Sequence, residues 1–258
     1  MRRLKKIKSF RDLGGIECAN GKKVVFGRLL RSGHHGSLKA GQALWLKLFY
    51  NVYEIIDLRA NEEVADNPDK MITGVKYIHI PLLTDEQNPV VNRRTRGHML
   101  RKVIEEGGAI THLCEVYRTL VSSELSLHGL HEIFTRLLTD HEGAFLWHCT
   151  QGKDRTGICT AAILMSLGCD EKSIIEDYMR YNKLFRVKNF LIYLAIMIFK
   201  FSKKKAKTAV QLITAQREYI LAAFDEIRKR YGDELGFLKK GIGLSDGDIV
   251  KMQEIYLE

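Results

Sequence analysis

Short apolar runs alternate along the chain with longer segments in which apolar residues recur at helical spacing. The runs with the length and composition of buried strands are Val24–Leu30, Val52–Leu58, Val75–Leu82 and Ala144–Trp147. The segments with helical spacing or composition are 38–49, 111–126, 129–139, 158–167 and 215–230. Because strand and helix patterns alternate, the sequence predicts an α/β fold in which the strands form a central sheet.

Turn and capping residues separate these segments. Residues 10–15 are predicted to form a turn, because Gly14 and Gly15 allow backbone angles that other residues avoid. The sequence Gly168-Cys169-Asp170 is predicted to end one helix and to cap the next. Ser245-Asp246-Gly247-Asp248 places a capping residue and an acidic first turn at the start of a last helix.

Size and composition fit a single folded unit. The chain of 258 residues is 45% hydrophobic, which is enough to bury a substantial core. It contains only 3 prolines, and we find no low-complexity run and no internal repeat. We therefore expect one domain over residues 1–258.

The chain is basic, with 41 Lys and Arg residues against 31 Asp and Glu and a formal charge of +10. Such an excess is either plain solvated charge or an attraction for anionic substrates, acidic lipids or nucleic acid. The sequence shows neither an aromatic-rich RNA platform nor a recognition-helix motif, so no nucleic-acid partner is expected. The basic cluster at 93–102 is interpreted as solvated surface.

The 5 cysteines are an odd count without paired spacing, which favours a reducing compartment and a cytoplasmic location. The basic segment 1–8 is not followed by an apolar stretch, so it does not predict a secretory signal peptide. Export as an effector stays open. Cys159 is expected to be a small buried core residue, with an oxidative disulfide to Cys149 as the alternative.

The segment that decides the chemistry is His148-Cys149-Thr150-Gln151-Gly152-Lys153-Asp154-Arg155-Thr156-Gly157. An apolar strand precedes it and a helical segment follows it. A tight loop between a strand and a helix directs backbone N–H groups and the helix N-terminus at one spot, and such a spot binds anions.

The start of that loop is a place where a cysteine is stabilised in its thiolate form. The helix N-terminus and the Arg155 charge are expected to lower the pKa of Cys149. The planar guanidinium of Arg155 matches two oxygens of a phosphate. The alternative is a buried cysteine at a strand end and an arginine in a surface salt bridge. The strand, glycine and helix together favour a phosphoryl-transfer site.

Three further features outside the loop are candidates for a function. Asp57 and Arg59 end a strand, where functional groups gather in α/β sheets, although a charge pair that locks the strand end is an equal alternative. His128 and His131 have metal-compatible spacing but no evident third ligand, so no metal is expected. The apolar stretch 190–199 is too short to span a bilayer.

His148-Cys149-x5-Arg155-Thr156 resembles the signature of cysteine-dependent phosphatases. The version from Gly152 to Gly157 resembles one branch, the bacterial tyrosine phosphatases of dual or broader specificity, some of which also act on phosphoinositides. Other segments that resemble this family are Phe10–Gly15, Arg31–Gly33, Asp57–Arg59, Tyr178–Asn182 and the region from Gln216 to Gly232.

The resemblance implies a phosphotyrosine-phosphatase-like fold: a central, mostly parallel sheet flanked by helices, with a helical lid at about 183–212. The apolar stretch 190–199 belongs to this segment. It is either part of the lid or a buried core helix. A lid that rests on an anionic membrane is a weaker variant.

The resemblance also assigns roles in the loop. Cys149 is the expected nucleophile, and Arg155 with the loop N–H groups holds the phosphate. The proton donor is Asp154 or Asp85, with Asp154 favoured. His148 is expected to orient the loop and support the thiolate. The residues expected to contact substrate are Thr150, Gln151, Gly152, Lys153 at the rim, and Thr156.

The implied activity is hydrolysis of phosphomonoesters without a cofactor. The expected partners are phosphorylated proteins, on tyrosine and also on serine or threonine, and phosphoinositides. A phosphoinositide-selective phosphatase and a non-catalytic phosphate-binding module are the alternatives. The intact Cys149, Asp154 and Arg155 argue against the second.

Overall fold

The structure is a computed structural model that describes residues 7–18, 21–87, 103, 108–139, 142–200 and 203–258. The basic cluster at 93–102 lies outside these residues. Of the apolar stretch 190–199, only the side chains of Leu191 and Leu194 are described.

The described strands form one five-stranded sheet in the order β1-β2-β5-β3-β4. The strands are β1 Arg11–Asp12, β2 Leu29–Gly33, β3 Val52–Asp57, β4 Lys76–His79 and β5 Ala144–Cys149. The pairs between β2, β5, β3 and β4 are parallel, and β1 pairs antiparallel with β2. This confirms the predicted α/β fold with a mostly parallel sheet.

Helices cover both faces of the sheet. Their bounds are α1 Ala40–Phe49, α2 Asn61–Asp66, α3 Ala109–Leu120, α4 Glu124–Leu137, α5 Asp154–Ser166, α6 Glu171–Lys200, α7 Lys203–Ile213, α8 Arg217–Tyr231 and α9 Asp246–Tyr256. A short helical segment, Glu234–Gly236, continues into a π-helical turn, Phe237–Ile242. Among the described residues, no helix is both long and apolar enough to cross a membrane.

One predicted strand is misplaced. The sequence predicts a strand over Val24–Leu30, but β2 begins at Leu29, and Val24 forms only an isolated bridge with Leu257. Gly27 has a φ of 77°, which turns the chain, and its N–H donates to a carboxylate oxygen of Asp12 at 2.9 Å. The turn delays the strand and places Arg31 to Gly33 inside it.

A second boundary also differs. The break between the predicted helices 111–126 and 129–139 lies earlier, at Val121 to Ser123. The Ser123 hydroxyl accepts a hydrogen bond from the N–H of Ser126 and so caps α4. The predicted cap of the last helix is confirmed, because Ser245 and Asp248 form a capping box.

The register of the sheet brings polar strand ends together. The central strand β5 is buried along its whole length. On one side, Gly33 of β2 lies opposite Cys149, and on the other side Asp57 of β3 lies opposite His148. These residues therefore share the carboxyl edge of the parallel strands, which is where sites form in such sheets.

Two cysteines are paired, contrary to the expectation from their spacing. Cys18 and Cys169 form a disulfide across 151 positions of sequence. It joins the segment after the first turn to the connection between α5 and α6.

Candidate active site

The loop from Thr150 to Lys153 joins β5 to α5 and closes over Cys149, which is only 2% exposed. Gly152 makes the tight path possible, since its φ is 68° and a Cβ there would lie 2.3 Å from the Ser9 hydroxyl and 2.5 Å from the Ser32 carbonyl oxygen. No other residue fits this position without displacing the chain.

The outer side of the loop is held by donors to its carbonyl groups. Lys8 Nζ donates to the carbonyl of Thr150 at 3.2 Å, and the Ser9 hydroxyl donates to that of Gln151 at 2.7 Å. Arg31 Nη2 donates to the carbonyl of Gly152 at 3.2 Å. In a trans peptide the N–H points opposite to the carbonyl. The N–H groups that follow these carbonyls therefore point into the loop, where they can bind an anion.

The loop favours the thiolate of Cys149. Burial would raise the pKa of this thiol, but the Arg155 charge and hydrogen bonds from the hydroxyl and the N–H of Thr156 lower it below its ordinary value. The Thr156 hydroxyl is buried and makes no other hydrogen bond among the described residues, so its proton is available to the sulfur. The neighbouring thiol of Cys159 differs, because burial raises its pKa.

Arg155 is paired with Glu63, which no motif of the sequence indicates. Its Nη1 contacts Glu63 Oε2, and its Nη2 lies 2.9 Å from Oε1. The Thr150 hydroxyl donates to Glu63 Oε1 as well. Burial alone would lower the pKa of Arg155, and Glu63 raises it above its ordinary value. The guanidinium therefore keeps its charge inside the protein.

Asp154 opens α5 beside Arg155 and is held by a buried tyrosine. The Tyr117 hydroxyl donates to Asp154 Oδ1 at 2.7 Å and lies 2.6 Å from the Tyr178 hydroxyl. Burial and the Asp154 charge raise the pKa of Tyr117, so it stays protonated. Tyr178 in turn accepts from the backbone N–H of Gln216. A hydrogen-bonded chain thus runs from the start of α8 to the carboxylate.

The second candidate acid lies elsewhere. Asp85 Oδ1 accepts a hydrogen bond from the N–H of Glu62 at 2.9 Å, in the first turn of α2. An acidic side chain in this place stabilises a helix N-terminus. Unlike this contact of Asp85 with a helix, the Asp154 charge acts on the Cys149 thiol, whose pKa it raises.

The prediction that Lys153 lies at the rim of the loop is wrong. The residue is 1% exposed, and its ammonium donates to the carbonyls of Leu212 at 2.6 Å and Thr214 at 3.1 Å. It also lies 3.4 Å from Asp154 Oδ1. The carbonyls at the end of α7 satisfy the cation, so burying it is not costly. The side chain connects the phosphate-binding loop to α7.

Behind the loop, His148 belongs to a buried ionic network. Its Nε2 lies 2.8 Å from Asp69 Oδ2, although the pair is not aligned as a linear hydrogen bond, and its Nδ1 lies 3.8 Å from Asp57 Oδ1. Arg59 Nη2 reaches both carboxylates, at 2.6 Å from Asp57 and 3.3 Å from Asp69. Burial lowers the pKa of His148, but the two carboxylates raise it above its ordinary value. Asp57 and Arg59 therefore lock the strand end.

This network does not suit a metal ion, although His35, Asp69 and His148 bring potential ligand atoms within 4.8 Å of one another. Arg59 and the protonated His148 already balance the charges of Asp57 and Asp69. A divalent cation would add uncompensated positive charge to a buried, neutral cluster. His35 stays neutral, because burial and the His148 charge lower its pKa to about 3.

Beside the loop, two arginines pair with one aspartate of α6. Arg31 Nη1 lies 2.7 Å from Asp177 Oδ2 on α6, and Arg11 Nη2 lies 3.4 Å from the same oxygen. Asp12 accepts hydrogen bonds at 2.9 Å from the N–H groups of Gly14 and Gly27. Asp12 therefore holds the predicted turn, while Arg11 reaches another element.

Comparison with known proteins identifies the family of this chain. A family model described as the tyrosine phosphatase family matches residues 2–258. The chain is 27% identical to the triple specificity protein phosphatase PtpB of Mycobacterium tuberculosis, over 96% of each protein. It is 27% identical to a putative tyrosine-protein phosphatase of Cupriavidus necator, over 69% of this chain and 61% of that protein. It is 40% identical to a tyrosine-protein phosphatase of Nostoc commune, over 48% of this chain and 38% of that protein. Because the family model covers almost the whole chain, the protein belongs to the tyrosine phosphatase family.

Proposed function

We propose that the protein is a cysteine-dependent phosphatase of the broad-specificity bacterial branch, which hydrolyses phosphomonoesters through a phosphocysteine intermediate. The observation that carries this proposal is the placement of the buried Cys149 at the base of a loop whose N–H groups point inward. In this place the Arg155 charge lowers the pKa of the thiol. A thiolate in an anion-binding loop is suited to attack phosphorus.

In the first step the Cys149 thiolate attacks phosphorus, and the bond to the ester oxygen breaks. Arg155 and the loop N–H groups hold the three non-bridging oxygens of the phosphoryl group and stabilise the charge that develops on them. The leaving oxygen takes a proton from Asp154, because an alkoxide leaves poorly without one. The contacts of Asp154 with described residues are made to Oδ1, which leaves Oδ2 for this proton.

In the second step a water molecule attacks the phosphocysteine. Asp154, now ionised, accepts a proton from the water, and the Cys149 thiolate leaves as inorganic phosphate forms. The hydrogen bonds from Thr156 to the sulfur stabilise the departing thiolate. His148, protonated and fixed behind the strand, supports the same negative charge and orients the loop.

We infer that the substrates are phosphotyrosine proteins and also phosphoserine or phosphothreonine proteins and phosphoinositides. The support is the resemblance of the loop to the broad-specificity branch, the name of the triple-specificity relative and the basic composition of the chain. A phosphoinositide-selective enzyme is the alternative. Turnover of phosphotyrosine peptide, phosphoserine peptide and phosphoinositide vesicles separates the two, because a lipid-selective enzyme leaves both peptides intact.

We further propose that residues 183–212 form a helical lid within a single domain. The two ends of this segment are joined at its stem, where the Asn182 side chain donates to the carbonyl of Ala215 at 2.7 Å and accepts from its N–H at 2.9 Å. The two ends of the segment therefore lie next to each other, which is the arrangement expected at the base of a lid. Lys153 ties its end to the phosphate-binding loop.

A peripheral contact of this lid with an anionic membrane is part of the same proposal. Leu184, Leu191 and Leu194 of α6 are exposed, and lysines follow in the sequence at 200 and at 203–205. Apolar side chains next to lysines suit an anionic lipid surface. Co-sedimentation with vesicles that contain anionic lipid tests this contact, with neutral vesicles as the control.

The proposed reaction is tested with Cys149→Ser. We expect this variant to lose hydrolysis of a chromogenic aryl phosphate while it still binds the substrate, because a serine hydroxyl is not ionised at neutral pH. Cys159→Ala is the matched control, since it removes the next thiol along the chain and leaves the loop intact. Unchanged turnover in Cys149→Ser would exclude the mechanism. Inactive wild-type protein that still binds aryl phosphate would instead favour a non-catalytic phosphate-binding module.

A further inference from the structure

The carboxylate of Glu63 connects three groups around the phosphate-binding loop. It pairs with both terminal nitrogens of Arg155, it accepts from the Thr150 hydroxyl, and its Oε2 accepts from the N–H of Ala60 at 3.1 Å. We propose that Glu63 is a positioning residue, which fixes the Arg155 guanidinium over the Cys149 sulfur. This inference rests on the proposed function of the loop.

Glu63 is itself held in place. It lies in the first turn of α2, where its carboxylate accepts from the N–H of Ala60, the residue that precedes the helix. The start of α2 is fixed by Asp85, which accepts from the N–H of Glu62 at 2.9 Å. Because Glu63 is held by its own helix, Arg155 is the partner whose orientation the pair determines.

The pair leaves room for a phosphate on the same guanidinium. An arginine has five N–H groups, and an end-on carboxylate uses one from each terminal nitrogen. The pair does not use Nε, so one side of the fork can still bind two phosphate oxygens. Arg155 also continues to act on the sulfur while it is paired, because its charge lowers the pKa of Cys149. Both points argue for positioning and against a carboxylate that blocks the site.

Loss of this carboxylate should release the arginine. An arginine that is free to turn spends less time in the geometry that holds the phosphate oxygens, and a displacement of about 1 Å can reduce a rate by roughly 100-fold. The Cys149 thiolate also loses part of the stabilisation that the fixed Arg155 charge provides. We therefore expect weaker phosphate binding, slower turnover and a higher Cys149 pKa, all from a residue that contacts neither the sulfur nor the substrate.

The test compares Glu63→Gln, which keeps the shape of the side chain, with Glu62→Gln, which removes the same charge from an exposed neighbour on α2. For each variant, kcat and KM for an aryl phosphate are measured together with inhibition by inorganic phosphate. The pH dependence of Cys149 alkylation by iodoacetate, followed on the Cys149 peptide by mass spectrometry, reports the thiol pKa without any need for activity. Thr150→Val is a milder second variant that removes one of the hydrogen bonds of Glu63 and leaves its ion pair.

We expect Glu63→Gln to lower kcat/KM by about 10- to 100-fold, to weaken inhibition by phosphate and to shift alkylation to higher pH. Thr150→Val should change all three in the same direction by less, and Glu62→Gln should match wild type. Tighter phosphate binding in Glu63→Gln would show that the carboxylate blocks the site. A lower Tm with unchanged kinetics and alkylation would show a purely structural role. If wild-type protein has no activity, the alkylation profiles still decide the role of Glu63.

Discussion

The hydroxyl of Tyr117 lies 2.7 Å from Asp154 Oδ1 and 2.6 Å from the hydroxyl of Tyr178. Each tyrosine has one proton to donate. Since Tyr117 gives its proton to Asp154, Tyr178 must give its own to Tyr117. The arrangement holds the carboxylate through one of its oxygens, which suits a residue that must deliver a proton from the other.

Tyr117→Phe should therefore impair proton delivery without removing the acid. We expect kcat for substrates with poor leaving groups to fall by about 10-fold, because a mispositioned acid loses part of the 10²–10⁴-fold that proton transfer contributes. The KM should change little. Tyr256→Phe is the control, since it removes another buried tyrosine hydrogen bond, to the carbonyl of Leu137 at 2.7 Å. Both variants should lose about 1 kcal/mol of stability. Equal kinetics in the two variants would contradict the positioning of Asp154 by Tyr117.

The two candidate acids can be separated by their dependence on the leaving group. Asp154→Asn should cost roughly 100-fold or more on an alkyl phosphate and much less on an activated aryl phosphate, which needs no proton. Asp85→Asn should act through α2 and Glu63, so we expect a smaller loss that is equal on both substrates. The measurement is kcat/KM for both variants on both substrates. A leaving-group dependence in Asp85→Asn alone would reverse the assignment.

Local pattern predicted the loop, and the groups that support it come from distant parts of the chain. Cys149, Asp154 and Arg155 belong to one continuous segment, whose strand, glycine and helix are visible in the sequence. Tyr117 lies 37 positions from Asp154, and Glu63 lies 92 positions from Arg155. Such contacts depend on how helices pack across the sheet, which no hydrophobic period encodes.

The dependence on contacts between distant parts of the chain also explains why the sequence misplaces some residues. Lysine is rarely buried, so the sequence predicts that Lys153 lies at the rim. Only the position of α7 reveals the carbonyls that hold its ammonium group. The partner of Cys18 is 151 positions away, which spacing does not predict. The strand before Arg31 starts late because Asp12, from another segment, fixes the turn at Gly27.

Asp69 is expected to be essential for the stability of the network behind Cys149. Asp69→Asn leaves His148 and Arg59 with one carboxylate, and breaking a buried ion pair costs about 3–5 kcal/mol. The control is Asp66→Asn, an exposed aspartate at the end of α2. Urea denaturation with the same slope in all three proteins measures the difference. A loss in Asp69→Asn as small as that in Asp66→Asn would show that the network is not coupled to stability.

The contribution of Asp69 should also depend on pH. His148 and Arg59 hold the pKa of Asp69 below its ordinary value, although burial alone would raise it. A carboxylate with a lowered folded-state pKa stabilises the protein above its unfolded-state pKa and loses this effect as the pH falls towards the folded-state value. The difference in free energy of unfolding between wild type and Asp69→Asn should therefore shrink below about pH 4. A difference that is constant from pH 7 to acid would contradict this.

Thr156 should set the pH at which the enzyme becomes active. The thiolate form of Cys149 persists at any pH above its lowered pKa, so kcat/KM should fall as the pH drops through that value. Thr156→Val removes the hydroxyl that faces the sulfur and keeps the backbone N–H. Since a hydrogen bond to a charged group contributes about 1.5 kcal/mol or more, the acidic limb of the profile should move up by about one pH unit. Thr160→Val is the control, because its hydroxyl lies on the same helix and accepts a hydrogen bond from Trp147 Nε1 at 3.0 Å. A shift in both variants, or in neither, would show that the Thr156 hydroxyl does not stabilise the thiolate.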